Sequence, residues 1–534
     1  MQRTWGTDVR AGSYGGHDGL VYDSSPATYE ELVAGTETWT DRTFLVHGER
    51  RVDFAQFRAA IGPATAHLRE LGIRPGDRVM VFGYNSPEWV LALWAIWLSD
   101  AVPVLANRWW SPVEIDHAIT LLAPRHVLAD AELAVAGGQS ALRDLGTAFD
   151  SGAIEAGGID SGAFEPEGSA RRDQDAASLI LFTSGSSGMP KAVELSRRSV
   201  ICNQHDILQR TGRLPHLLTA DSPQVVSLAT TPMFHVGGLS SLLTHFLTGG
   251  KIVMTEGRFD AGRILKLIAR EGIQIWGAVP TMAIRILEHP DFETSDLSSL
   301  KSFPLGGAPV TTALLDRIRA KLPRLRDRGL SNTWGMTEAG GFLTVADARD
   351  LARHPGTVGR PYPVVEIRIA EGDADGVGEV LARSPTVMNG YVGLDPTASA
   401  ETVDSDGWLH TGDLGHLTQD GYLFIDGRSK DVVIRGGENV ACPHVEAAIA
   451  THPAVLEVAA LGVPHPDLGE ELVAVVVHRG DVSPPTPEEL TAHLTGVLSY
   501  FAIPTRWEIR AQPLPTLAGE KVDKKALGQA FAPV

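Results

Sequence analysis

The stretch LILFTSGSSGMPKAVELS, residues 179–196, is the segment from which the rest of the chain is best interpreted. An apolar run leads into Thr183, passes through the glycine- and serine-rich residues 184–188, and ends near Lys191. Glycines allow backbone N–H groups to turn toward one point, hydroxyls add donors, and a lysine adds positive charge, which together suit a polyphosphate. The stretch is not a Walker loop, because no Gly-Lys-Ser/Thr closes it. Without the lysine, a polar loop after a buried strand would be the simpler interpretation.

Length and charge restrict the class of protein. A chain of 534 residues exceeds what one hydrophobic core holds, so several domains are expected. A formal net charge of −19, without a long Lys/Arg run, argues against nucleic acid as a partner. The two cysteines, Cys202 and Cys442, are far apart and lack zinc-ligand spacing, which favours a reduced, cytoplasmic enzyme.

No segment suggests integral membrane association. The longest apolar run, WVLALWAIWL at 89–98, has about half of the ~20 residues that span a bilayer, and it predicts a buried helix instead. The N-terminal residues lack the apolar core of a secretory signal.

The distribution of apolar residues predicts an α/β protein. Helical and strand-like patterns alternate from residue 52 to 130 and again from 177 to 320, which favours mostly parallel sheets. Residues 357–427 change to short strands and Gly/Asp turns, typical of a β subdomain. Residues 136–176, rich in Gly, Ser, Asp and Glu, are expected to form a surface loop or to be partly disordered. The last hundred residues predict a small α+β domain, giving domains 1–429 and 430–534.

Further motifs follow the first stretch in a fixed order. They are PMFHVGG (232–238), VPTM (279–282), LGGAPV (305–310), NTWGMTEAG (332–340), TVGRPYP (357–363), DGWLHTGDLG (406–415), DGYLFIDGRSKDVVIRGGENVACPHVE (420–446) and LAGEKVDKK (517–525). In sequence and order they resemble the adenylate-forming superfamily, which comprises acyl-CoA synthetases, adenylation domains and luciferases. The resemblance covers roughly residues 40–530 and is greatest to the acyl-CoA ligases.

The resemblance implies a site for ATP and AMP. The phosphates would be held by Thr183, Ser184, Gly185, Ser186, Ser187, Gly188 and Lys191. Gly307 and Ala308 would border the adenine, and Trp334 would stack on it where the family usually has tyrosine. Gly335 would also belong to the nucleotide-binding residues. Thr337 would contact the phosphate, and Glu338 would position Mg²⁺. Asp413 would accept both ribose hydroxyls, with Arg428 reaching the same sugar.

The resemblance also implies two half-reactions, first the formation of an acyl-adenylate from a carboxylate and ATP, then transfer of the acyl group to coenzyme A. Lys521 would be the catalytic lysine of the first step. The C-terminal domain would be mobile and would rotate about Lys430, so that Gly436 and Gly437 face the site in the second step. His235 would lie beside the acyl carbonyl and gate the acyl tunnel.

One departure from the family pattern concerns this lysine. The family usually has glycine immediately before it, whereas this chain has Glu520, with the glycine displaced to Gly519. A glutamate there would be strained at positive φ, or its carboxylate would pair with the lysine or repel the anionic substrates. We therefore hypothesise that Glu520 weakens adenylation, the alternative being that it points into solvent. Lys524 and Lys525 are interpreted as solvated charges at the start of a helix.

The sequence leaves the acid and the acceptor open. Positions expected near the acyl group, Val236, Gly306 and Met336, are small or apolar, and Trp109 and Trp110 are expected to pack near it. A hydrophobic carboxylic acid, or its adenylate, is therefore favoured over an amino acid. A ligase that loads a carrier protein, an enzyme that only consumes a supplied adenylate, and a non-catalytic binding protein remain alternatives, and a homodimer is left open.

Overall fold

The structure is a computed structural model, and it describes residues 5–130, 139–150, 173–184, 189–372, 376–428, 432–435, 438–465, 468–480, 482–495, 497–517 and 520–531. No helix among these residues combines the length and the apolar character needed to cross a bilayer.

The first part of the chain alternates helices and strands as predicted. Its elements are β1 (Val9–Tyr14), β2 (His17–Tyr22), α1 (Tyr29–Ala34), β3 (Thr43–His47), β4 (Arg50–Asp53), α2 (Phe54–Glu70), β5 (Arg78–Phe82), α3 (Pro87–Trp97), β6 (Val102–Leu105), α4 (Pro112–Leu122), β7 (His126–Ala129), β8 (Gln139–Ala141) and α5 (Leu142–Asp150).

The middle of the chain continues the alternation. Its elements are β9 (Ala177–Ser184), β10 (Pro190–Ser196), α6 (Arg197–Arg210), β11 (Val226–Ala229), α7 (Val236–Leu247), β12 (Lys251–Met254), α8 (Ala261–Glu271), β13 (Ile275–Trp276), α9 (Pro280–Leu287), β14 (Phe303–Gly306), α10 (Thr312–Lys321), β15 (Leu330–Met336), β16 (Gly341–Asp347), α11 (Ala348–Arg353) and β17 (Arg360–Pro361).

Short strands dominate the remainder. They and their helices are β18 (Glu366–Ala370), β19 (Gly378–Arg383), β20 (Gly390–Val392), α12 (Pro396–Ala400), β21 (Leu409–Leu417), β22 (Leu423–Arg428), β23 (Val432–Arg435), β24 (Glu438–Ala441), α13 (Cys442–Ile449), β25 (Val455–His465), β26 (Gly469–His478), α14 (Pro487–Leu494), β27 (Arg506–Arg510) and α15 (Lys524–Gln529).

Two large sheets form the base of the N-terminal region. One has the order β20-β10-β9-β6-β5-β7-β8 and the other the order β13-β11-β12-β3-β4. The pairings of β5 with β6 and β7, and of β11 with β12, are parallel, whereas β10 pairs antiparallel with β9 and β20. Mostly parallel sheets are thus confirmed, with antiparallel strands at their edges.

Helix α3 contains the longest apolar run, and it is buried as predicted. Ser86 caps its first turn and Pro87 occupies the first helical position, where a missing N–H costs little. Its tryptophans Trp89 and Trp94 are 1% and 0% exposed, in a core shared with side chains of both large sheets and of α2 and α7. This core fixes the relative position of the two sheets.

Part of the segment 136–176 differs from the prediction of a loop. Residues 139–141 form β8, which extends the first sheet beside β7, and residues 142–150 form α5. The prediction was wrong here because Leu142 and Leu145, three residues apart, are buried against the core of α2 and α3 despite the polar composition around them. Residues 151–172 lie outside the described residues.

Two smaller sheets follow and lie at the candidate site. In the sheet β14-β15-β16-β17 the pair β14–β15 is parallel. The sheet β18-β19-β21-β22 lies in the region predicted to be a β subdomain, and it is antiparallel throughout. Both share one hydrophobic cluster that includes Trp334, Leu343, Val380 and Leu409.

The C-terminal α+β domain has a sheet in which the central strand β26 pairs with β23, with β25 and, in parallel, with β27. Alternate residues of β26 enter two cores, because neighbouring side chains of a strand point to opposite faces. The interpretation of Lys524 as a solvated charge was wrong, since its Nζ lies 2.7 Å from Glu446 Oε1 on α13. Lys525 is exposed.

Candidate active site

The hairpin β9–β10 carries the first candidate phosphate ligands. Thr183 on β9 is paired in register with Lys191 on β10, so the two lie side by side at the end of the hairpin. Lys191 Nζ lies 4.9 Å from the centre of the Tyr391 ring on β20, within the range of a cation–π contact. Gly185, Ser186, Ser187 and Gly188, and the side chain of Ser184, lie outside the described residues.

Glu338 is the second feature of the site. It lies in a short 3-10 turn, Thr337–Ala339, directly after β15, and only 6% of its surface is exposed. The Tyr391 hydroxyl donates a hydrogen bond to Glu338 Oε1 at 3.0 Å. Burial and the neighbouring Glu338 raise the pKa of Tyr391, so the phenol stays a donor. Tyr391 therefore links Lys191 to Glu338, and sequence reasoning missed it.

The chemistry of Glu338 fits the magnesium ion that the family resemblance implies. Among the described residues no group of three or more His, Cys, Asp or Glu side chains could enclose a metal. Mg²⁺ that accompanies nucleotides is usually held by one or two carboxylates together with phosphate oxygens and water. A single buried carboxylate beside a threonine matches that donor set.

Asp413 on β21 is the predicted ribose ligand, and two donors hold it. Arg428, its register partner on β22, donates from Nε to Oδ1 at 2.7 Å, and Trp334 on β15 donates from Nε1 to Oδ2 at 2.7 Å. Asp413 is 3% exposed. Each carboxylate oxygen has two lone pairs, so both keep capacity for a ribose hydroxyl. The structure thus brings three predicted residues together.

Two of the residues predicted to lie at the nucleotide have backbone that only glycine fits easily. Gly307, directly after β14, has φ +74°, a conformation that side chains other than glycine rarely adopt, and Ala308 follows it. A β-carbon at Gly335 would lie 2.1 Å from the carbonyl oxygen of Gly341 on the neighbouring strand, so only glycine fits there.

Lys521 comes to this site from the C-terminal domain. Its Cε lies 3.8 Å from where a β-carbon on Gly307 would be. By surface area its side chain is exposed, although many protein atoms lie around it. Desolvation lowers the pKa of the ammonium group, repulsion from Arg428 adds to this, and attraction to Glu338 and Asp413 opposes it. The lysine is therefore within electrostatic reach of the predicted ribose and magnesium ligands.

His235 precedes α7 and faces the same region. Burial lowers its pKa to about 3, and repulsion from Lys521 is the second cause. Its ring lies 4.7 Å from that of Phe234, which in turn contacts Trp109 at 5.5 Å. His235 is thus neutral at physiological pH and lies beside an aromatic cluster.

Glu520 contradicts two of the expectations for its side chain. Its carboxylate neither pairs with Lys521 nor points freely into solvent, but forms an ion pair with Arg285 on α9. The expectation of an unusual backbone is confirmed, because Glu520 has φ +63°. Thr281, also on α9, donates from its hydroxyl to the Glu520 carbonyl oxygen. Among the described residues, no carboxylate forms an ion pair with Lys521.

Several predicted features remain outside this description. Lys430, Gly436 and Gly437 lie outside the described residues, and so does the predicted domain boundary at 429/430. The acyl-side positions Val236 and Met336 are half-buried at the start of α7 and the end of β15.

Comparisons with known proteins identify the family of the chain. A family model described as "AMP-binding enzyme" matches residues 33–392, and one described as "AMP-binding enzyme C-terminal domain" matches residues 444–518. The chain is 32% identical over 503 residues to a feruloyl-CoA synthase from Amycolatopsis, covering 92% of this chain and 96% of the relative.

Solved structures show the same fold. The ATP-bound MatB from Rhodopseudomonas palustris matches with a TM-score of 0.79 at 26% identity, covering 94% of this chain and 98% of that one. The o-succinylbenzoate CoA synthetase from Bacillus subtilis, in complex with its acyl-adenylate intermediate, matches with a TM-score of 0.76 at 25% identity, covering 93% and 97%. The chain therefore belongs to the AMP-binding enzymes of the adenylate-forming superfamily, and it is an acid–thiol ligase of the AMP-forming acyl-CoA synthetase type.

Proposed function

We propose that the chain is a cytoplasmic ligase that converts a hydrophobic carboxylic acid, ATP and coenzyme A into an acyl-CoA, AMP and pyrophosphate. The observation that carries this proposal is the position of Lys521, which reaches from the C-terminal domain to Gly307 and lies within electrostatic reach of Glu338 and Asp413. Cys202 and Cys442 are both buried and are not joined in a disulfide, which fits a reducing compartment.

In the first step a carboxylate oxygen of the acid forms a bond to the α-phosphorus of ATP. The bond from that phosphorus to the oxygen bridging the β-phosphate breaks, and pyrophosphate leaves with the electron pair. Two anions must approach each other in this reaction, so preorganised positive charge lowers the barrier. Lys521, whose ammonium is free of carboxylate partners among the described residues, supplies this charge.

The nucleotide would be held by groups from three sheets. Asp413 would accept the ribose hydroxyls while Trp334 and Arg428 keep its oxygens oriented. Thr183 and Lys191 would contact the phosphates at the end of the hairpin. Glu338 would hold Mg²⁺, which supplies Lewis-acid neutralisation of the phosphate charge when bound.

In the second step the sulfur of coenzyme A attacks the acyl carbonyl of the adenylate. The bond between the carbonyl carbon and the phosphate oxygen breaks, AMP leaves, and the thiol proton is lost to solvent. The neutral His235 can act as a hydrogen-bond partner beside the acyl group, but it does not add a charge. Rotation of the C-terminal domain about Lys430, bringing Gly436 and Gly437 to the site, belongs to this proposal.

A hydrophobic acid is favoured by the side chains expected around the acyl group. Val236 and Met336 are apolar, Gly306 adds no side chain, and the pair Trp109–Phe234 lies next to His235. An apolar pocket with few polar groups selects an apolar ligand. The similarity to a feruloyl-CoA synthase supports an acid of this class.

The alternative functions that the sequence left open have unequal support. An enzyme that only consumes a supplied adenylate loses one of its arguments, because the Glu520 carboxylate pairs with Arg285 rather than with Lys521, whereas the unfavourable backbone at Glu520 still supports it. Whether the acyl acceptor is coenzyme A or a carrier protein is decided only by identifying the product.

Two half-reaction assays test the proposal. Exchange of labelled pyrophosphate into ATP, with a panel of aromatic, aliphatic and amino acids, is expected to be fastest with a hydrophobic acid. Mass spectrometry of the product with coenzyme A, and separately with an acyl carrier protein, identifies the acceptor. Nucleotide binding with neither exchange nor thioester formation would contradict the proposal and favour a binding protein.

A further inference from the structure

The face of α9 that meets the C-terminal domain carries an arrangement of charges beyond the nucleotide site. Arg285 and Glu288, three residues apart, lie on neighbouring positions of one helix face. Arg285 pairs with Glu520, and Glu288 Oε1 accepts from Arg479 at 3.2 Å, where Arg479 directly follows β26. We name Arg285, Glu288, Glu520 and Arg479 the α9 latch.

The latch holds the loop that carries Lys521. Thr516 and Val522 form an antiparallel bridge, and next to it the Leu517 N–H donates to the Lys521 carbonyl at 2.7 Å and the Glu520 N–H donates to the Leu517 carbonyl at 3.0 Å. Glu520 is bound through its carboxylate by Arg285 and through its carbonyl by Thr281. Both anchors lie on α9, and Lys521 is the next residue.

The backbone conformation at Glu520 is unfavourable for a residue that has a side chain. At φ +63° a glycine would be unstrained, whereas a glutamate costs free energy that the fold must offset elsewhere. The ion pair with Arg285 is partly shielded, with the two side chains 27% and 21% exposed, so it is stronger than a fully exposed pair. A strained residue held by contacts from another domain is the arrangement expected of a positioning device rather than of a surface charge.

We propose that Arg285 and Glu520 are positioning residues that hold Lys521 at Gly307 for adenylation and release it for thioester formation. This inference rests on the proposed function. Because the C-terminal domain has to leave α9 before it can present another surface to the adenylate, the latch stabilises only the first arrangement. Its loss therefore slows the first half-reaction and leaves the second unchanged or faster.

Variants that remove one charge test the inference. Glu520→Gln and Arg285→Gln are expected to lower the maximal rate of pyrophosphate exchange about tenfold, with little change in the KM for ATP, since a hydrogen bond between charged groups is lost. Formation of acyl-CoA from a synthetic adenylate is expected to stay within about twofold of the unaltered chain. The exchanged pair Arg285→Glu with Glu520→Arg is expected to recover part of the exchange rate.

A matched control comes from α10. Asp316 pairs with Arg319 at 2.9 Å within α10, and Asp316→Asn removes the same kind of charge without removing a member of the latch. This control is expected to leave both half-reactions unchanged. An equal fall of both half-reactions in the latch variants, or no fall in either, would overturn the inference.

A second measurement does not depend on activity. Hydrogen–deuterium exchange of the peptide covering residues 514–523 is expected to accelerate in Arg285→Gln and not in Asp316→Asn. Unchanged protection would overturn the latch even if the enzyme is active. Conversely, the unaltered chain could show no pyrophosphate exchange while protection is lost in Arg285→Gln. That result would refute the proposed function but would still support the contact between Arg285 and Glu520.

Discussion

The indole N–H of Trp334 donates to Asp413 Oδ2 at 2.7 Å, so a residue expected to stack on adenine also orients the residue expected to bind ribose. The two lie on different sheets, and the contact is buried. A tyrosine at position 334 would have its polar atom at the end of the ring and could not donate from the same place.

Replacement of Trp334 by phenylalanine keeps an aromatic face but removes this donor. We expect the KM for ATP to rise about tenfold, because a buried carboxylate oxygen loses one of its partners. Trp408→Phe, at a buried tryptophan of the β subdomain packed against Arg368 and Arg383, is the control and is expected to leave this KM unchanged. Equal effects of the two changes would show that lost packing, rather than the lost hydrogen bond, is responsible.

The pKa of Lys521 predicts an alkaline limit of the first half-reaction. Its pKa lies below the ordinary value because of desolvation and Arg428, and the ammonium is the active form, so pyrophosphate exchange is expected to fall as the pH rises through that lowered pKa. Lys521→Arg is expected to be slower overall, since guanidinium geometry differs, but to lack this fall. A Lys521→Ala enzyme should lose on the order of 100-fold in exchange while still converting a supplied adenylate. An identical alkaline fall in the arginine variant would assign it to another group.

Tyr391 is expected to affect the magnesium requirement. Tyr391→Phe removes the donor to Glu338 Oε1 but keeps the ring over which Lys191 lies. Groups that orient a metal ligand typically change metal affinity about 10–100-fold, so the magnesium concentration for half-maximal exchange should rise by at least severalfold. Tyr500→Phe, at an exposed tyrosine of the C-terminal domain, is the control. An unchanged magnesium dependence would mean that Glu338 is oriented by other contacts.

Asp206 predicts how stability depends on pH. It is fully buried on α6, and burial raises its pKa to about 8, against about 3.9 in an unfolded chain. Tyr22 Oη lies 2.6 Å from Asp206 Oδ1 and 2.7 Å from Gln209 Oε1, and one hydroxyl hydrogen serves only one of them. A protonated Asp206 supplies the missing hydrogen.

Between these two pKa values the folded state binds a proton that the unfolded state has lost, so this group's contribution to stability falls as the pH rises from about 4 to about 8. Asp206→Asn is expected to raise the free energy of unfolding at pH 8 by on the order of 3 kcal/mol, and by much less at pH 5. Urea denaturation at both pH values checks this, with Asp41→Asn, at an exposed aspartate, as the control. A gain of equal size at pH 5 and pH 8 would exclude protonation as the cause.

The fold could be predicted where it depends on the pattern of apolar residues within one segment of the chain. The apolar run before Thr183 predicted a strand that leads into this residue, and the structure has Thr183 near the end of β9. Helix α5 was missed because its few apolar residues, Leu142 and Leu145, are diluted by polar neighbours, and only their contact with α2 and α3 explains its formation.

Contacts between distant residues could not be predicted in the same way. Glu520 lies 235 residues from Arg285 in sequence, and a charge pattern within one segment carries no information about such a partner. The same holds for Trp334 and Asp413, and for Lys524 and Glu446. The positive φ at Glu520 was foreseeable because it depends only on the glycine that the family usually has there.

The edge strand β20 is synthesised long after β10, the strand with which it pairs. It completes the sheet beside β10, yet its residues follow those of β10 by roughly 200 positions, which a ribosome translates in about 10–40 s. During that interval the outer edge of β10, which includes Lys191, awaits its native partner, and an unpaired strand edge is a template for wrong pairing. The nascent chain therefore depends on late residues to close an early sheet, and a stop or cleavage before Val392 would leave that edge open.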